Sequence, residues 1–518
     1  MSKSADEDGV DSSFGSPDLS APPLQTRGRT RRGQGADIPL GPNPGGLSTA
    51  GRAAAKNTRL MALSYAMPVV PTVLIMASVN VVQGIYAKYY GLSLTAISGA
   101  LLLAGLFDAL TDPAVGYLSD KQRIRTGTRR FFIVVGALSF PVCAFFFFSP
   151  IVTPTAGYFL FWYLAFYLAH TVFTIPHLAW GGEAAPNASD RNTIFSFRSF
   201  AYYVGFILFA LVPILPFTPT SDVTPETLRI TVVVSFILVF PALFVFLRNV
   251  PDGHRSERPP KLENPFNAFY ALRKNSQFVL FVLGYALYGL SAGVGWSLIF
   301  VVLDGYLGIG GAYAYLYLFH LFVCCTSVVV GLRVIEKLDK KQSFLLAIGL
   351  SAIAYLTWPF ALMNGPYSLY LAGAFMFLMG PSSALGGVVA SSLLADIVDY
   401  ERLKSKVDRS AISFGVMNLG TKTMATFGAA AAFWIAGRFH YNPSAETQTD
   451  QVYWGLTLAM SVLPALLCLG AAALISPIVM TSRRHAIIRK RLDQREVRAS
   501  RDAGLRKEIQ QGQMVDEC

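Results

Sequence analysis

Charge is what this sequence has least of. Of 518 residues, 14% are Asp, Glu, Lys or Arg and 53% are hydrophobic; a soluble chain carries about 25% charged residues. The deficit excludes a chain wetted on all sides and places most residues against lipid or other apolar helices. Cysteine is scarce too. Cys143, Cys324, Cys325 and Cys468 lie in apolar runs and Cys518 is terminal, with neither metal-ligand spacing nor a disulfide framework. Catalytic motifs are also missing. Gly420-Thr-Lys422-Thr lacks the spaced glycine of a phosphate-binding loop, and Gly-x-Ser-x-Gly and His-Glu-x-x-His do not occur. Nucleotide-driven pumping and hydrolysis therefore have no residues to perform them, and no enzyme activity is expected. Residues 1–56 are polar and rich in Ser, Gly and Pro, so neither a cleavable signal peptide nor a buried core is expected there.

Long apolar stretches are what the sequence has instead. Twelve are readable, at 60–88, 95–119, 131–151, 156–180, 194–217, 229–248, 276–303, 311–332, 343–362, 367–395, 411–437 and 452–480. Each approaches the ~20 residues a helix needs to cross the hydrocarbon. The net charge of +12 collects in alternate loops, after runs two, six, eight and ten, and in both tails. No recognition motif accompanies the arginines, so they are read as orienting the chain and meeting anionic lipid headgroups, not nucleic acid. Alternation of basic and nearly uncharged loops places both termini in the cytoplasm.

The expected fold class is an all-α integral membrane protein of twelve helices in two six-helix bundles. Its parts are a disordered tail (1–56), an N-terminal bundle (57–249), a cytoplasmic linker (250–275), a C-terminal bundle (276–480) and a basic tail (481–518). Within the linker, Asn264–Lys274 is expected to form an amphipathic helix at the membrane surface. In the tail, Ile487, Ile488, Leu492 and Val497 are spaced roughly for a helix that lies on the inner leaflet or frays into solvent.

Ionisable residues inside apolar runs carry the functional signal. Asp108 and Asp112 lie in run two, four apart and so on one helical face. An intramembrane carboxylate costs about 2.5–3.5 kcal/mol on insertion scales, and the pair repels itself besides. A bound cation, a proton or a basic side chain must compensate, which points to cation-driven transport. The plain alternative is that they mark the helix end and pair with nearby arginines. Lys422 in run eleven lies too deep for easy snorkelling, and pairing with the aspartates is the economical reading. Run four carries His170, Thr171, Thr174 and His177. A Thr hydroxyl can join carboxylates around a small cation, or simply bond back to its helix. Arg198 in run five either faces a cavity or marks the interface. Gly289-Leu-Ser-Ala-Gly293 fits a small-residue packing face.

Asp108-Ala-Leu-Thr-Asp112-Pro, the following basic loop to Arg130, Thr174-Ile-Pro176 with Arg191 and Arg198, and Ala395-Asp396-Ile-Val-Asp399-Tyr400 with Lys422 carry a specific resemblance. Over residues 57–480 the sequence resembles the glycoside–pentoside–hexuronide:cation symporters, the melibiose permease family of the major facilitator superfamily. The resemblance implies cation-coupled symport of a glycoside or other small sugar derivative. It implies a site for Na⁺ or H⁺ at Asp108, Asp112 and Thr171, with Thr111 where melibiose permease has Asn. Lys422 and His170 would set the coupling electrostatics, and Thr174, His177 and Arg198 would face the substrate cavity. Asp120, Arg129 and Arg130 in one half, and Asp396 and Asp399 in the other, would form a cytoplasmic gate. No cofactor is implied.

The sugar half of the resemblance is thinner. Positions where melibiose permease holds galactoside-binding aspartates read Val73 and Thr174, and two pocket tryptophans fall at Leu178 and Gly387. A wider, more apolar cavity fits a bulky amphipath such as a lysophospholipid as the alternative cargo. A non-transporting membrane sensor is the second alternative. A bacterial inner membrane is the expected location.

Overall fold

The computed structural model describes residues 49–184, 188–215, 221–252, 270, 272–407, 409–445 and 447–495. Among these residues every regular element is helical, because lipid cannot satisfy exposed backbone groups and a helix bonds them internally. In the first half of the chain α1 (Thr49–Ala66), α2 (Val69–Met76) and α3 (Val79–Tyr89) make one interrupted rod. They are followed by α4 (Leu94–Thr126), α5 (Arg130–Phe148), α6 (Ala156–Ala184), α7 (Ala188–Leu211) and α8 (Pro225–Asn249).

The second half begins with α9 (Ser276–Ser297), continued by α10 (Ile299–Gly305), then α11 (Tyr313–Lys337). Next come α12 (Lys340–Tyr355), continued by α13 (Trp358–Ala361), and the long α14 (Ser368–Ser405). Finally α15 (Ser410–Arg438) precedes α16 (Asp450–Thr457), which a π-helical turn, Leu458–Val462, joins to α17 (Leu463–Ile475).

Three of the interruptions fall at prolines. Pro68 separates α1 from α2, Pro359 follows the break between α12 and α13, and the π turn sits just ahead of Pro464. Proline has no N–H to give the carbonyl four residues back, and its ring crowds that carbonyl; a π turn absorbs the mismatch without leaving the helix.

Among the described residues eleven helical segments are long and apolar enough to cross a membrane. α15 is the long helix outside that set: its 29 residues include Asn418, Thr421, Lys422, Thr423 and Thr426, which lower its hydropathy. α4 and α14 outlast the apolar runs that mark them. Apolarity records where lipid ends, and the helix goes on until the backbone is turned. Gly127 at φ 79° ends α4 by returning its N–H to the Arg123 carbonyl, and Lys406 at φ 60° ends α14.

Two boundaries differ from expectation. α1 starts at Thr49, ahead of residue 57, because its Ala-rich opening is a strong helix former. Residues 482–495 form a helix that neither frays nor lies free. Its Ile488 and Leu492 are buried, and His485 and Arg489 reach Asp399 of α14 at 2.9 and 3.4 Å. Residues 1–48 and most of the expected amphipathic helix at Asn264–Lys274 lie outside the described residues.

Packing runs mostly within each half: α5 and α6, α4 and α6, α12 and α14, α9 and α17. Across the halves α4 meets α15, α7 meets α11 and α3 meets α10. Behind α15 stands α9, and here the small-residue face matters. A Cβ on Gly289 would lie 2.9 Å from the Thr421 side chain, and one on Gly293 would fall onto the Ala425 backbone. The two backbones touch, which seats α15 with the next residue, Lys422, turned toward α4. Backbone cannot step aside, so Gly293→Ala is expected to cost about 1–3 kcal/mol of stability. Gly387→Ala, where a Cβ meets open space, should change it by less than about 0.5 kcal/mol. Thermal unfolding of the two purified variants in detergent checks the contrast.

Candidate functional site

Where α4 and α15 cross, they run antiparallel in close register. Ser98 donates to the Ala430 carbonyl at 2.7 Å, and a Cβ on Gly105 would lie 3.0 Å from the Phe427 ring. One turn beyond Gly105 the same crossing brings Lys422 to the acidic pair. Its Nζ is 2.6 Å from Asp108 Oδ2 and 2.9 Å from Asp112 Oδ2. The fourth participant comes from α6: Thr171 Oγ1 donates to Asp112 Oδ1 at 2.9 Å. Three helices of two halves thus meet at one pair of carboxylates.

The two carboxylates are not equivalent. Asp112 has both oxygens engaged. Asp108 is the more buried, with 7% of its side chain exposed against 20% for Asp112, and its Oδ1 is buried with no hydrogen-bond partner. With both acids ionised and Lys422 protonated, the cluster carries one net negative charge. An orphaned buried acceptor costs about 1–3 kcal/mol. The donor set is all oxygen, which suits a hard monovalent cation or a proton. No group of three or more His, Cys, Asp or Glu side chains able to hold a metal occurs among the described residues.

The other expected site residues are placed as follows. Thr111 directs its hydroxyl to the Asp108 carbonyl at 3.5 Å, back along its own helix. His170 shares a hydrogen bond with Thr174 at 3.2 Å and packs on the Phe140 ring. His177, expected to face a cavity, is instead fully buried in the packed first half. Its ring stacks on Tyr65 at 4.1 Å and Nε2 meets the Tyr65 carbonyl oxygen at 3.0 Å. A histidine between two aromatic rings with a backbone partner is a core residue. Arg198 on α7 is half-buried with its Nε unpartnered.

Val73 is buried against α7, 2.7 Å from where a Gly205 Cβ would be, whereas Gly387 borders open space and Leu178 is 37% exposed.

Charges expected at the gate form networks inside each half. Arg129 holds Asp120 at 2.5 Å and Glu183 at 3.0 Å, and Arg130 holds Asp252 at 3.0 Å. In the second half Lys340 holds Asp396 at 2.6 Å, and His485 lies between Asp396 and Asp399. At the opposite end an ion pair crosses the halves. Lys88 of α3 meets Asp304 of α10 at 2.8 Å, and Ser444 donates to the Lys88 carbonyl. Sequence reading passed over this pair, although its signal was present: Lys88 ends the first apolar run and Asp304 follows the seventh, at corresponding places of the two halves.

Residues 55–481 match the family described as MFS/sugar transport protein. Among curated relatives, YagG of Escherichia coli K12, named as a glycoside/cation symporter, is 23% identical over 79% of this chain and 88% of its own length. The inner membrane symporter YicJ of the same strain is 23% identical over 75% and 84%. Two solved structures share the fold. An inward-facing bacterial homologue of the lysosomal transporter Spinster has TM-score 0.58 and 16% identity over 81% of this chain and 96% of its own. A D-xylose–proton symporter has TM-score 0.55 and 15% identity over 82% and 97%. The chain belongs to the MFS/sugar transport family. It is an integral multi-pass membrane protein that transports a small molecule and is not an enzyme.

Removing the ammonium leaves two carboxylates facing each other. Lys422→Met is therefore expected to lower stability by up to about 3 kcal/mol, the lysine being a third exposed. Adding Asp108→Asn should recover part of that loss. Thermal unfolding of the single and double variants measures both.

Proposed function

We propose that this protein is a cation-coupled symporter with twelve membrane-spanning helices, α15 being the one that hydropathy alone leaves out. Its bundles are residues 57–249 and 276–480, joined by a linker at 250–275. Both tails face the cytoplasm of a bacterial cell, in keeping with the basic loops and with YicJ being named an inner membrane protein. The observation that carries the reading is the buried, unpartnered Asp108 Oδ1 in a cluster of two carboxylates and one lysine. Na⁺ or H⁺ arriving there completes neutrality. Asp108, Asp112 and Thr171 supply the oxygens, and Thr111 adds one if its hydroxyl swings round.

Coupling follows from where the lysine comes from. Lys422 belongs to the second half and the aspartates to the first, so a cation on the carboxylates competes with a bond that ties the halves together. Binding weakens that tie and shifts the population of rocking states. Lys88–Asp304 closes the other end in this state. Asp120, Arg129, Arg130, Asp396 and Asp399 act at the cytoplasmic end, and His170 lies beside Thr171 to tune the field.

The cargo is by family a glycoside or other sugar derivative, met by Arg198 and Thr174. A second reading, a bulky amphipath such as a lysophospholipid, draws on the packed Val73, the exposed Leu178 and the open space at Gly387.

Proteoliposomes loaded against a panel of glycosides, hexuronides and lysophospholipids, under a Na⁺ or a pH gradient, test this. The wild type should concentrate one class under one gradient. Asp112→Asn and Asp108→Asn should fall to the level of empty vesicles in the uphill direction. Full concentrative uptake by either variant would sink the coupling role.

A further inference from the structure

The helix at 482–495, the start of α9 and the far end of α14 enclose a cavity of ≈ 500 Å³. Four cations line it: Lys274 just ahead of α9, Lys404 at the end of α14, and Arg484 and Arg491 on the tail helix. The two arginines are two turns apart and so share a face. No acidic residue contributes to the lining. The nearby acids are already engaged: Asp396 with Lys340, Asp399 with His485 and Arg489, and Glu401 with Asn275 and Arg409. Among the described residues none of the four lining cations makes an ion pair.

Docking the tail helix thus carries two arginines toward two lysines, with nothing negative between them. Like charges around one small space repel, so the arrangement is most stable with an anion inside. The rest of the wall narrows the anion's chemistry. Leu403, Val479, Met480, Ile487 and Ile488 add an apolar surface, and Tyr400 a phenol. The cavity lies where α9, α14 and the segment after α17 leave their apolar stretches, the level of lipid headgroups.

We infer that this cavity binds the headgroup of an anionic phospholipid. Arg484 and Arg491 take the phosphate oxygens with their planar forks, and Lys274 and Lys404 act as point charges. The glycerol and first methylenes rest on the apolar wall. The bound lipid pins the tail helix, and with it His485 and Arg489, against Asp396 and Asp399. The inference uses the placement of this end at a membrane surface and is independent of cargo and coupling ion.

The test uses the full-length protein in an uncharged detergent, read by native mass spectrometry and thermal unfolding. Phosphatidylglycerol, phosphatidylcholine and inorganic phosphate are added separately. Phosphatidylglycerol should be retained and should raise the melting temperature, with little effect of the other two. Arg484→Gln/Arg491→Gln should weaken its retention about 30-fold, roughly a factor of five for each charge removed. Lys274→Gln/Lys404→Gln, which leaves the tail helix untouched, should do the same. Lys121→Gln/Arg125→Gln removes equal charge from the exposed end of α4 and should change nothing. Undiminished retention in both cavity variants overturns the inference, as does an equal loss in the α4 variant. Stabilisation by inorganic phosphate matching that by the lipid overturns it in favour of a soluble anion.

Discussion

Two carboxylates one helical turn apart cannot both stay ionised in a low-dielectric setting unless positive charge is held between them. That constraint reaches well beyond Asp108 and Asp112. The ammonium that answers it sits on α15, in the other half of the chain, so α15 must pass within one side chain's length of α4. Close passage needs small residues on both sides. Gly105 lets α4 approach Thr426 and Phe427, while Gly289 and Gly293 of α9 press on α15 from behind. Thr171 then completes Asp112 from α6. Helix packing in lipid has no hydrophobic drive between helices and depends on such close contact, so the backbone geometry and the charge cluster support each other.

The same cluster leaves one charge and one buried oxygen unanswered. A fully satisfied network would lock the halves. An unpaired charge would be too costly to keep. With both acids ionised the cluster would be one charge short of neutral, and the lysine that compensates it stands on the opposite half. The other contacts are distributed to match. Arg129–Glu183 and Lys340–Asp396 each lie inside one half. Lys88–Asp304 and the α4–α15 contacts cross between halves, so they would part or slide if the halves moved. Asp304 is largely buried, with 8% of its side chain exposed, so parting the pair would leave a buried carboxylate without its counter-charge.

What could be read from the sequence was whatever stood out against an apolar background. Asp108, Asp112 and Lys422 are conspicuous because charge inside a hydrophobic run needs a reason, and the spacing of four gives their common face at once. The small-residue face at Gly289 and Gly293 was legible as a weak pattern; its partner on α15 was not. Lys88 and Asp304, 216 positions apart, stand at the ends of apolar runs, where a charge is ordinary and stands out less than one inside a run. Polar residues in helices are ambiguous for another reason. A ring nitrogen looks the same in sequence whether it meets a ligand or a backbone carbonyl, and His177 does the latter. Helix ends were misjudged because hydropathy reports lipid, whereas the turn at Gly127 or Lys406 ends the helix.

The substrate side shows how packing limits what a fold can recognise. Val73 stands where the family resemblance places a sugar-binding aspartate, and it is not merely an apolar residue at a cavity wall. It is 3% exposed and packs on Gly205, two helical turns from Arg198 on the same face of α7. A carboxylate at 73 would be buried in that contact, so the position is closed to direct recognition by the approach of α2 and α7. Gly387 departs in the opposite sense, opening space where the resemblance has a tryptophan. With one polar anchor packed away and one aromatic plate absent, recognition falls to the remaining polar groups and to shape. Arg198, half-buried with an unpartnered Nε, is the strongest of those groups. An arginine that keeps a donor unsatisfied favours a cargo that brings an oxygen acceptor to it. Both departures follow from backbone placement: α2 pressed against α7 at the one, an exposed face of α14 at the other.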